Sequence, residues 1–365
     1  MRLNIAFSHN PRLQPLFDGS IQPEGIELNW HVDHLTALFL QHLKNNAFDV
    51  FEFSLSGYIV AKERAAWTHL GWIALPSFLS KTFWPLELLV NAQSGIRTWA
   101  DLAGKRVGVP DFNMTAAIWL RIMLKHLYGI RAEYITWFNG RRPSQRHSAV
   151  VGFNHPPSGV ILHELEEGSS LDDLLARGEI DAAFGDGAYM VPIHEGQHVH
   201  RLLSSAQALQ TLRNFMLQTG ATPVNHVVVI QEKLQEKQPC IARVIYDVFE
   251  AAKLEAYRRA RQASGAYLLL PEHDFAQQAA VFGGDPDPSG IQTNRKLLEL
   301  LIEQLTSEGQ LRQHVPIERL FAESCAGCPH LRCESSRANP SRRHNDIILR
   351  WLEPDLSSQH ERHVL

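Results

Sequence analysis

Strand-like and helix-like patterns of apolar residues alternate along most of the chain. Alternating or continuous apolar segments predict strands, and apolar residues that recur every three or four positions predict helices. The predicted strands are Leu3–Ser8, Ile26–Val32, Asp49–Phe53, Arg106–Val109, Tyr134–Phe138, Ala182–Phe184 and Asn225–Ile230. The predicted helices are Leu35–Asn45, Tyr58–Arg64, Met114–Leu127, Ser170–Asp181, Cys240–Arg261 and Thr293–Ser307. This alternation indicates an α/β fold with largely parallel, helix-flanked sheets.

Two polar segments interrupt this pattern. Gly140–Pro157 is rich in Arg, Ser and Pro, and we expect it to form a long surface loop. Beyond Ser324 the residues are mostly Ser, Arg, Asn, Pro and His, which indicates an appended tail.

Chain length and composition indicate a globular protein of two domains. The chain has 365 residues, and a domain takes roughly 150. Hydrophobic residues make up 44% and charged residues 20%, which excludes a disordered chain. The net charge of −4 does not favour nucleic acid, and no apolar run approaches the roughly 20 residues that span a bilayer. We expect neither a nucleic-acid partner nor a membrane partner, and we leave open a homo-oligomer.

The first residues lack the features of a secretory signal. Met1–Ser8 alternates apolar and polar residues and is soon followed by Pro11. A signal would carry an apolar stretch of about 7–15 residues and a cleavage site of small residues. We therefore expect a cytoplasmic protein.

Several motifs together resemble one known family. They are Gln22–Leu28, Phe48–Tyr58, Gly104–Pro110, Met114–Arg121, Gly178–Ala182, Pro223–His226 and Gly290–Lys296. In this order they resemble the 4,5-dihydroxyphthalate decarboxylase family, over about residues 3 to 324. Members of that family usually carry arginines in the segment that corresponds to Ser77–Trp84, whereas this chain has Lys81 and no arginine there.

The resemblance implies a two-lobe fold of the type II periplasmic-binding-protein kind, in which each lobe is a helix-flanked mixed sheet. We expect residues 1–92 and 225–323 to form a discontinuous first lobe and residues 93–224 to form the second. Residues 324–365 form the appended tail with its Cys, His and Arg residues. The ligand is expected in the cleft between the lobes.

The resemblance also implies an activity: decarboxylation of 4,5-dihydroxyphthalate, or a similar hydroxylated aromatic acid, to protocatechuate and carbon dioxide. The partner is then a small aromatic dicarboxylate, and the chemistry requires no cofactor. One alternative is a cytoplasmic protein that binds or senses an aromatic or heterocyclic acid without catalysis. Another is a thiamine-precursor enzyme of the same fold, but no sequence feature demands its lysine-bound cofactor.

Two residues are candidates for the catalytic groups. His226 lies at the start of a predicted strand near the expected cleft, and an imidazole exchanges protons near neutral pH. Glu52 lies between Phe51 and Phe53, so its side chain should point away from both and could serve as the base for a phenol. The alternatives are a histidine bonded within the hinge and a carboxylate that caps the following helix.

Further residues are candidates for substrate binding. Ser54 and Ser56 open one helix, and Asn113 and Thr115 open another; two helix N-termini that face each other would suit a dianion. Plain capping would explain part of this pattern. The other candidates, each with a purely structural alternative, are Lys81, Arg121, Asp186 and Arg295.

Two patterns suggest a metal. His194-Glu195-Gly196-Gln197-His198 matches the zinc-protease motif, which works only on a helix; Pro192 and Gly196 disfavour that helix, so we do not expect a protease. A structural zinc site could instead form in the tail, where three thiols and one imidazole would complete a tetrahedral ligand set. Its residues are Cys325, Cys328, His330 and Cys333. A reducible cysteine tail without metal is the alternative.

Overall fold

The structure is a computed structural model that describes residues 1–64, 71–80, 83–152, 155–186, 191–283 and 285–325. Its strands are β1 (Arg2–Phe7), β2 (Glu27–Val32), β3 (Val50–Ser54), β4 (Trp72–Ser80), β5 (Leu89–Asn91), β6 (Arg106–Val109), β7 (Thr136–Asn139), β8 (Ile161–Glu164), β9 (Ala182–Ala183), β10 (Val199–Arg201) and β11 (His226–Gln231). Its α-helices are α1 (Gln14–Phe17), α2 (Leu35–Asn45), α3 (Leu55–Glu63), α4 (Thr115–Tyr128), α5 (His147–Val150), α6 (Leu171–Ala176), α7 (Ser205–Thr219), α8 (Glu232–Lys237), α9 (Ile241–Ala263), α10 (Pro271–Phe282) and α11 (Arg295–Ser307).

The strands form two mixed sheets. The first has the order β2-β1-β3-β11-β4 and the second the order β10-β5-β9-β6-β7-β8. In the first sheet β1, β2 and β3 are parallel, and β11 runs antiparallel to both of its neighbours. We call the unit around the first sheet lobe 1 and the unit around the second sheet lobe 2. The predicted α/β fold of two helix-flanked mixed sheets is confirmed, while the residue boundaries of the lobes stay a prediction.

Apolar burial explains why the sheets and helices assemble. The largest buried cluster joins residues of both sheets with α3, α4 and α11, and Trp119 and Trp137 are completely buried in it. A second cluster packs the other face of the first sheet against α9. Helix α4 has ten consecutive buried residues and ends at Gly129, whose φ of 67° favours glycine. Within the described residues, no helix combines the length and the hydrophobicity needed to cross a membrane.

The outer edge of β4 is covered by segments from the end of the chain. The carbonyl of Pro76 accepts a hydrogen bond from the amide of Gly290, and the carbonyl of Ala74 accepts one from Ala322. Phe321 forms an isolated bridge with Ala74. The edge strand of the first sheet is therefore tied to residues more than two hundred positions away.

The predicted loop at Gly140–Pro157 differs from the structure. It contains a 3-10 turn at Pro143–Gln145 and the short helix α5. Arg141, His147 and Ser148 are buried. Arg141 bonds to Asp186 and the hydroxyl of Ser148 donates to Asp111, whereas the ring of His147 packs among aromatic side chains. Helices α7 and α10 and strands β4 and β8 are additions to the predicted elements.

The burial of His42 and His147 is expected to make the fold less stable at acidic pH. Burial lowers the pKa of each to about 3, whereas a histidine of the unfolded chain titrates near 6.5. Between these values the unfolded chain binds the extra protons, so stability falls as the pH falls. From pH 7 to pH 5 we expect each histidine to remove about 2 kcal/mol from the free energy of unfolding.

Urea unfolding at pH 7, 6 and 5 measures this loss. His42→Gln should be less stable at pH 7, because the His42 ring packs against that of Phe51 with centroids 3.7 Å apart, but its stability should depend less steeply on pH. The exposed His200 provides the control, His200→Gln, which should keep the wild-type dependence. An unchanged pH dependence in His42→Gln would contradict the assignment.

Candidate active site

Glu52 and His226 form a hydrogen-bonded pair where two neighbouring strands of the first sheet meet lobe 2. In the β3–β11 register, His226 lies opposite Ser54, and Val228 lies opposite Glu52. Nδ1 of His226 is 2.8 Å from Oε1 of Glu52. The Glu52 side chain is 2% exposed and that of His226 is 18% exposed. An ionised carboxylate only accepts hydrogen bonds. In the neutral imidazole the pairing therefore places the proton on Nδ1, and Nε2 can accept a hydrogen bond from another group.

Strand alternation explains why Glu52 is separated from the surrounding apolar side chains. Phe51 and Phe53 pack into the largest apolar cluster, and a strand turns the residue between them to the opposite face. The hydroxyl of Ser8 lies 3.4 Å from Oε2 of Glu52. The buried carboxylate is therefore held between an imidazole and a hydroxyl.

Strand β11 is irregular beside the histidine. Its pairing with β4 shifts register between His226 and Val227 and again between Val227 and Val228. Such irregularities bend a strand and change the direction of nearby side chains. The ring of Phe39 packs edge-on against His226, with centroids 5.5 Å apart, and so fixes one side of the imidazole.

The two helix starts predicted from the sequence meet at the lobe junction. Oγ1 of Thr115 lies 3.0 Å from Oγ of Ser54 and 2.9 Å from Oγ of Ser56, and it accepts a hydrogen bond of 3.1 Å from the amide of Ser56. The Ser56 hydroxyl also lies 3.4 Å from the carbonyl of Asn113. All four residues are buried. Hydroxyls from lobe 1 and lobe 2 are thus in direct contact, and together they form a polar cluster near the sheet ends.

Asp186 holds a buried arginine. Nε and Nη2 of Arg141 donate to Oδ2 of Asp186 over 3.1 and 2.6 Å, and the two side chains are 5% and 7% exposed. The other oxygen of Asp186 accepts a hydrogen bond of 2.9 Å from the amide of Val191. Asp186 thus pairs with a buried cation, and its predicted place in the lining of the cleft stays a prediction.

Two further histidines lie close to these groups. His34 caps α2, where its Nδ1 accepts a hydrogen bond from the amide of Thr36. Burial lowers the pKa of His34, and Asp186 raises it in opposition, while Arg141 and His226 add to the lowering. Burial is also the largest cause that lowers the pKa of His147, followed by the charges of Arg141 and His226. These electrostatic effects place His34, His147, Arg141, Asp186 and His226 in one neighbourhood.

Arg121 has a structural role in place of the predicted role in substrate binding. Its Nε and Nη2 donate to the two oxygens of Glu308 over 2.6 and 2.7 Å, and Nη1 donates to the carbonyl of Phe112. The guanidinium also stacks on the Phe112 ring. The side chain is 1% exposed, so its charge and donors are satisfied inside the core.

Arg295 has a protein partner. Its Nη2 donates to Glu318 over 2.7 Å, and its Nε lies 3.3 Å from Gln292. Because the ion pair with Glu318 satisfies a positive charge at the start of α11, no ligand is needed to explain it. Lys81 lies outside the described residues, and its predicted contact with the substrate stays a prediction.

The structure describes the first of the two predicted metal motifs completely and the second only in part. Residues 194–198 form no helix, and His194 pairs with Asp172 at 2.8 Å, so the zinc-protease geometry is absent from this stretch. No group of three or more metal-ligating side chains occurs among the described residues. Of the predicted zinc ligands only Cys325 is described, half-buried against the α9 cluster; Cys328, His330 and Cys333 lie outside, and that site stays a prediction.

Sequence reasoning missed Arg141, His147 and His34. The first two lie in the segment whose polar composition predicts a surface loop. Ligands of parallel sheets bind beyond the carboxyl ends of the strands. Because Arg141 comes two residues after β7, its position in the sequence could have indicated a place in the site.

Fold and site together define a two-lobe α/β protein with ionisable groups gathered where the lobes meet. A 4,5-dihydroxyphthalate decarboxylase of Pseudomonas putida is 33% identical over 190 residues, which cover 52% of this chain and 71% of that protein. One of Comamonas testosteroni is 28% identical over 323 residues, which cover 88% of this chain and 96% of that protein. The chain belongs to the 4,5-dihydroxyphthalate decarboxylase family, as its motifs predicted.

The chain was also compared with solved structures and with protein-family models. The periplasmic aliphatic sulphonate binding protein SsuA from Escherichia coli aligns with a TM-score of 0.48 and 12% identity, over 89% of this chain and 98% of that one. No family model matches the chain.

Proposed function

We propose that the protein removes one carboxylate from 4,5-dihydroxyphthalate, or from a similar hydroxylated aromatic acid, to give protocatechuate and carbon dioxide. Two relatives carry the name of this enzyme. Within the chain, the observation that supports the activity most directly is the Glu52–His226 pair, because the reaction depends on proton transfer.

The substrate itself makes this chemistry accessible. Each ring carboxylate has a hydroxyl para to it, and loss of that hydroxyl's proton pushes electron density onto the carbon that bears the carboxylate. When this carbon accepts a proton, the ring becomes a vinylogous β-keto acid. Its carbon–carboxylate bond then breaks, carbon dioxide leaves, and the bonding electrons restore the aromatic ring. The protein must therefore move protons and orient the ring.

His226 is suited to move the proton. With Nδ1 bonded to Glu52, its Nε2 can take a proton from the phenol or return one to the substrate. Both oxygens of Glu52 already have partners, because Oε1 lies 2.8 Å from Nδ1 of His226 and Oε2 lies 3.4 Å from the Ser8 hydroxyl. We assign it the positioning role of fixing the tautomer of His226 and stabilising the imidazolium, as the aspartate does in a Ser-His-Asp triad.

The cluster of Ser54, Ser56 and Thr115 is suited to bind polar groups of the ring. These hydroxyls bond one another across the lobe junction, so a substrate reaches them only when the lobes separate. Hinge opening of two lobes around a ligand is a familiar motion. On closure, the hydroxyls can exchange their mutual hydrogen bonds for bonds to the substrate.

An absorbance assay tests the proposal. The purified protein is mixed with 4,5-dihydroxyphthalate, and protocatechuate is followed by its ultraviolet spectrum while released carbon dioxide is measured in parallel. We expect both products in equal amounts without added cofactor. Binding of the substrate without turnover would support the alternative of a solute-binding or sensing protein.

A further inference from the structure

Two buried side chains of the segment between β7 and the end of α5 have no part in the proton transfer just described. They are Arg141 and His147, which are 5% and 3% exposed. The ring of Phe39 packs edge-on against both His147 and His226, with centroids 5.1 and 5.5 Å apart, and the positive charge of Arg141 helps to lower the pKa of His147. An arginine buried near the proposed proton-transfer group needs a reason beyond solubility.

Asp186 positions Arg141 without using its whole guanidinium. Nε and Nη2 both donate to the same oxygen, Oδ2, whereas a fork-shaped pair would engage both carboxylate oxygens. The second oxygen of Asp186 is bonded to the amide of Val191. The ion pair therefore fixes the plane of the guanidinium and leaves its Nη1 side outside the contact.

His147 supplies a second polar group in an apolar setting. Its ring packs edge-on against Phe39 and Phe53, with centroids 5.1 and 5.8 Å apart. Within the described part of the chain, neither of its ring nitrogens has a hydrogen-bond partner. A buried polar atom without a partner costs free energy, and a ligand that bonds to it would remove this cost. The ring is neutral at pH 7 because burial holds its pKa at about 3, so it has one N–H to donate.

We propose that Arg141 and His147 bind the carboxylate that stays on the ring during the reaction. This proposal rests on the proposed function and names the part of the site that recognises the acid. The chemistry decides between the two carboxylates. The departing carboxylate must lose its negative charge, and a guanidinium beside it would stabilise that charge and slow the reaction. The retained carboxylate keeps its charge throughout, so an arginine there orients the ring at no such cost.

Ligands that differ only in that carboxylate provide the test. Protocatechuate carries the retained carboxylate, and catechol lacks it. In Arg141→Met we expect the dissociation constant of protocatechuate to rise about 10- to 100-fold and that of catechol to change less than about twofold. Arg141→Lys should lie between, because lysine keeps the charge but not the fork. His147→Leu should weaken protocatechuate binding several-fold.

Arg142→Met is the matched control, because Arg142 is the next residue and its side chain is 60% exposed; it should bind both ligands like the wild type. If Arg141→Met does not fold, the double variant Arg141→Met with Asp186→Leu removes both buried charges and should show the same selective loss.

Three outcomes would overturn the proposal. Equal weakening of catechol and protocatechuate would make Arg141 purely structural. A raised KM for 4,5-dihydroxyphthalate with unchanged protocatechuate binding would put Arg141 at the departing carboxylate. Wild-type protein that binds neither ligand would refute this proposal and the proposed function together. If the wild type binds protocatechuate but never turns over the phthalate, only the activity fails, and the two dissociation constants still decide the role of Arg141.

Discussion

Replacing His226 by glutamine is expected to lower kcat for 4,5-dihydroxyphthalate by about 10²- to 10⁴-fold while the dissociation constant of protocatechuate changes less than about tenfold. Glutamine keeps a polar side chain beside Glu52 but cannot exchange a proton near neutral pH. The loss should therefore fall on the chemical step, and single-turnover absorbance together with calorimetric binding measures the two effects separately.

The variant Glu52→Gln tests whether Glu52 acts by positioning His226 or by direct contact with the substrate. The amide can still contact Nδ1 of His226, but it can donate as well as accept and so no longer fixes the tautomer. We expect a lower kcat, a changed pH profile, and little further loss when it is combined with His226→Gln. His200→Gln, at an exposed strand histidine, should retain full activity. Full activity in His226→Gln would remove this residue from the mechanism.

Replacing Arg121 by methionine is expected to lower the free energy of unfolding by about 3–5 kcal/mol, because it leaves Glu308 as a buried charge without its partner. The pair is nearly inaccessible to water, with side chains 1% and 6% exposed. Urea unfolding at pH 7 measures the loss, and the KM of whatever protein remains folded should be close to that of the wild type.

Two companion variants make this test specific. Arg121→Met with Glu308→Met removes both charges and should be more stable than Arg121→Met alone. Arg295→Met breaks the exposed pair with Glu318 and should cost less than about 1 kcal/mol. If Arg121→Met keeps wild-type stability and raises KM sharply, the arginine belongs to substrate binding after all.

Elements with strong local patterns could be predicted from the sequence. Helix α4 and strand β11 are rich in apolar residues, and the predictions Met114–Leu127 and Asn225–Ile230 differ from the structure by one residue at each end. Helix α7 is absent from the prediction; it is rich in polar residues and buries only Thr211 and Phe215. Local periodicity fails where a helix contributes little to the core.

The candidate site was predictable only as far as it follows from local geometry. A strand that ends in a helix puts Ser54 at a corner, and alternation separates Glu52 from its phenylalanine neighbours. The partner of a charge is a different problem. Arg121 pairs with a residue 187 positions away, and Arg141 is buried because Asp186 lies beside it in the folded chain. From the sequence alone both arginines are expected to be exposed to solvent. They are buried because each pairs with a carboxylate that is distant in sequence.

The covered edge of β4 has a consequence for how copies of the protein meet. An uncovered edge strand offers backbone donors and acceptors to the edge of another sheet, and natural proteins block such edges to prevent aggregation. Here the carbonyls of Ala74 and Pro76 are taken by Ala322 and Gly290. Gly290 and Ala322 thus block the pairing of β4 with a strand of another molecule. A chain truncated before Gly290 would expose this edge of the sheet that carries His226.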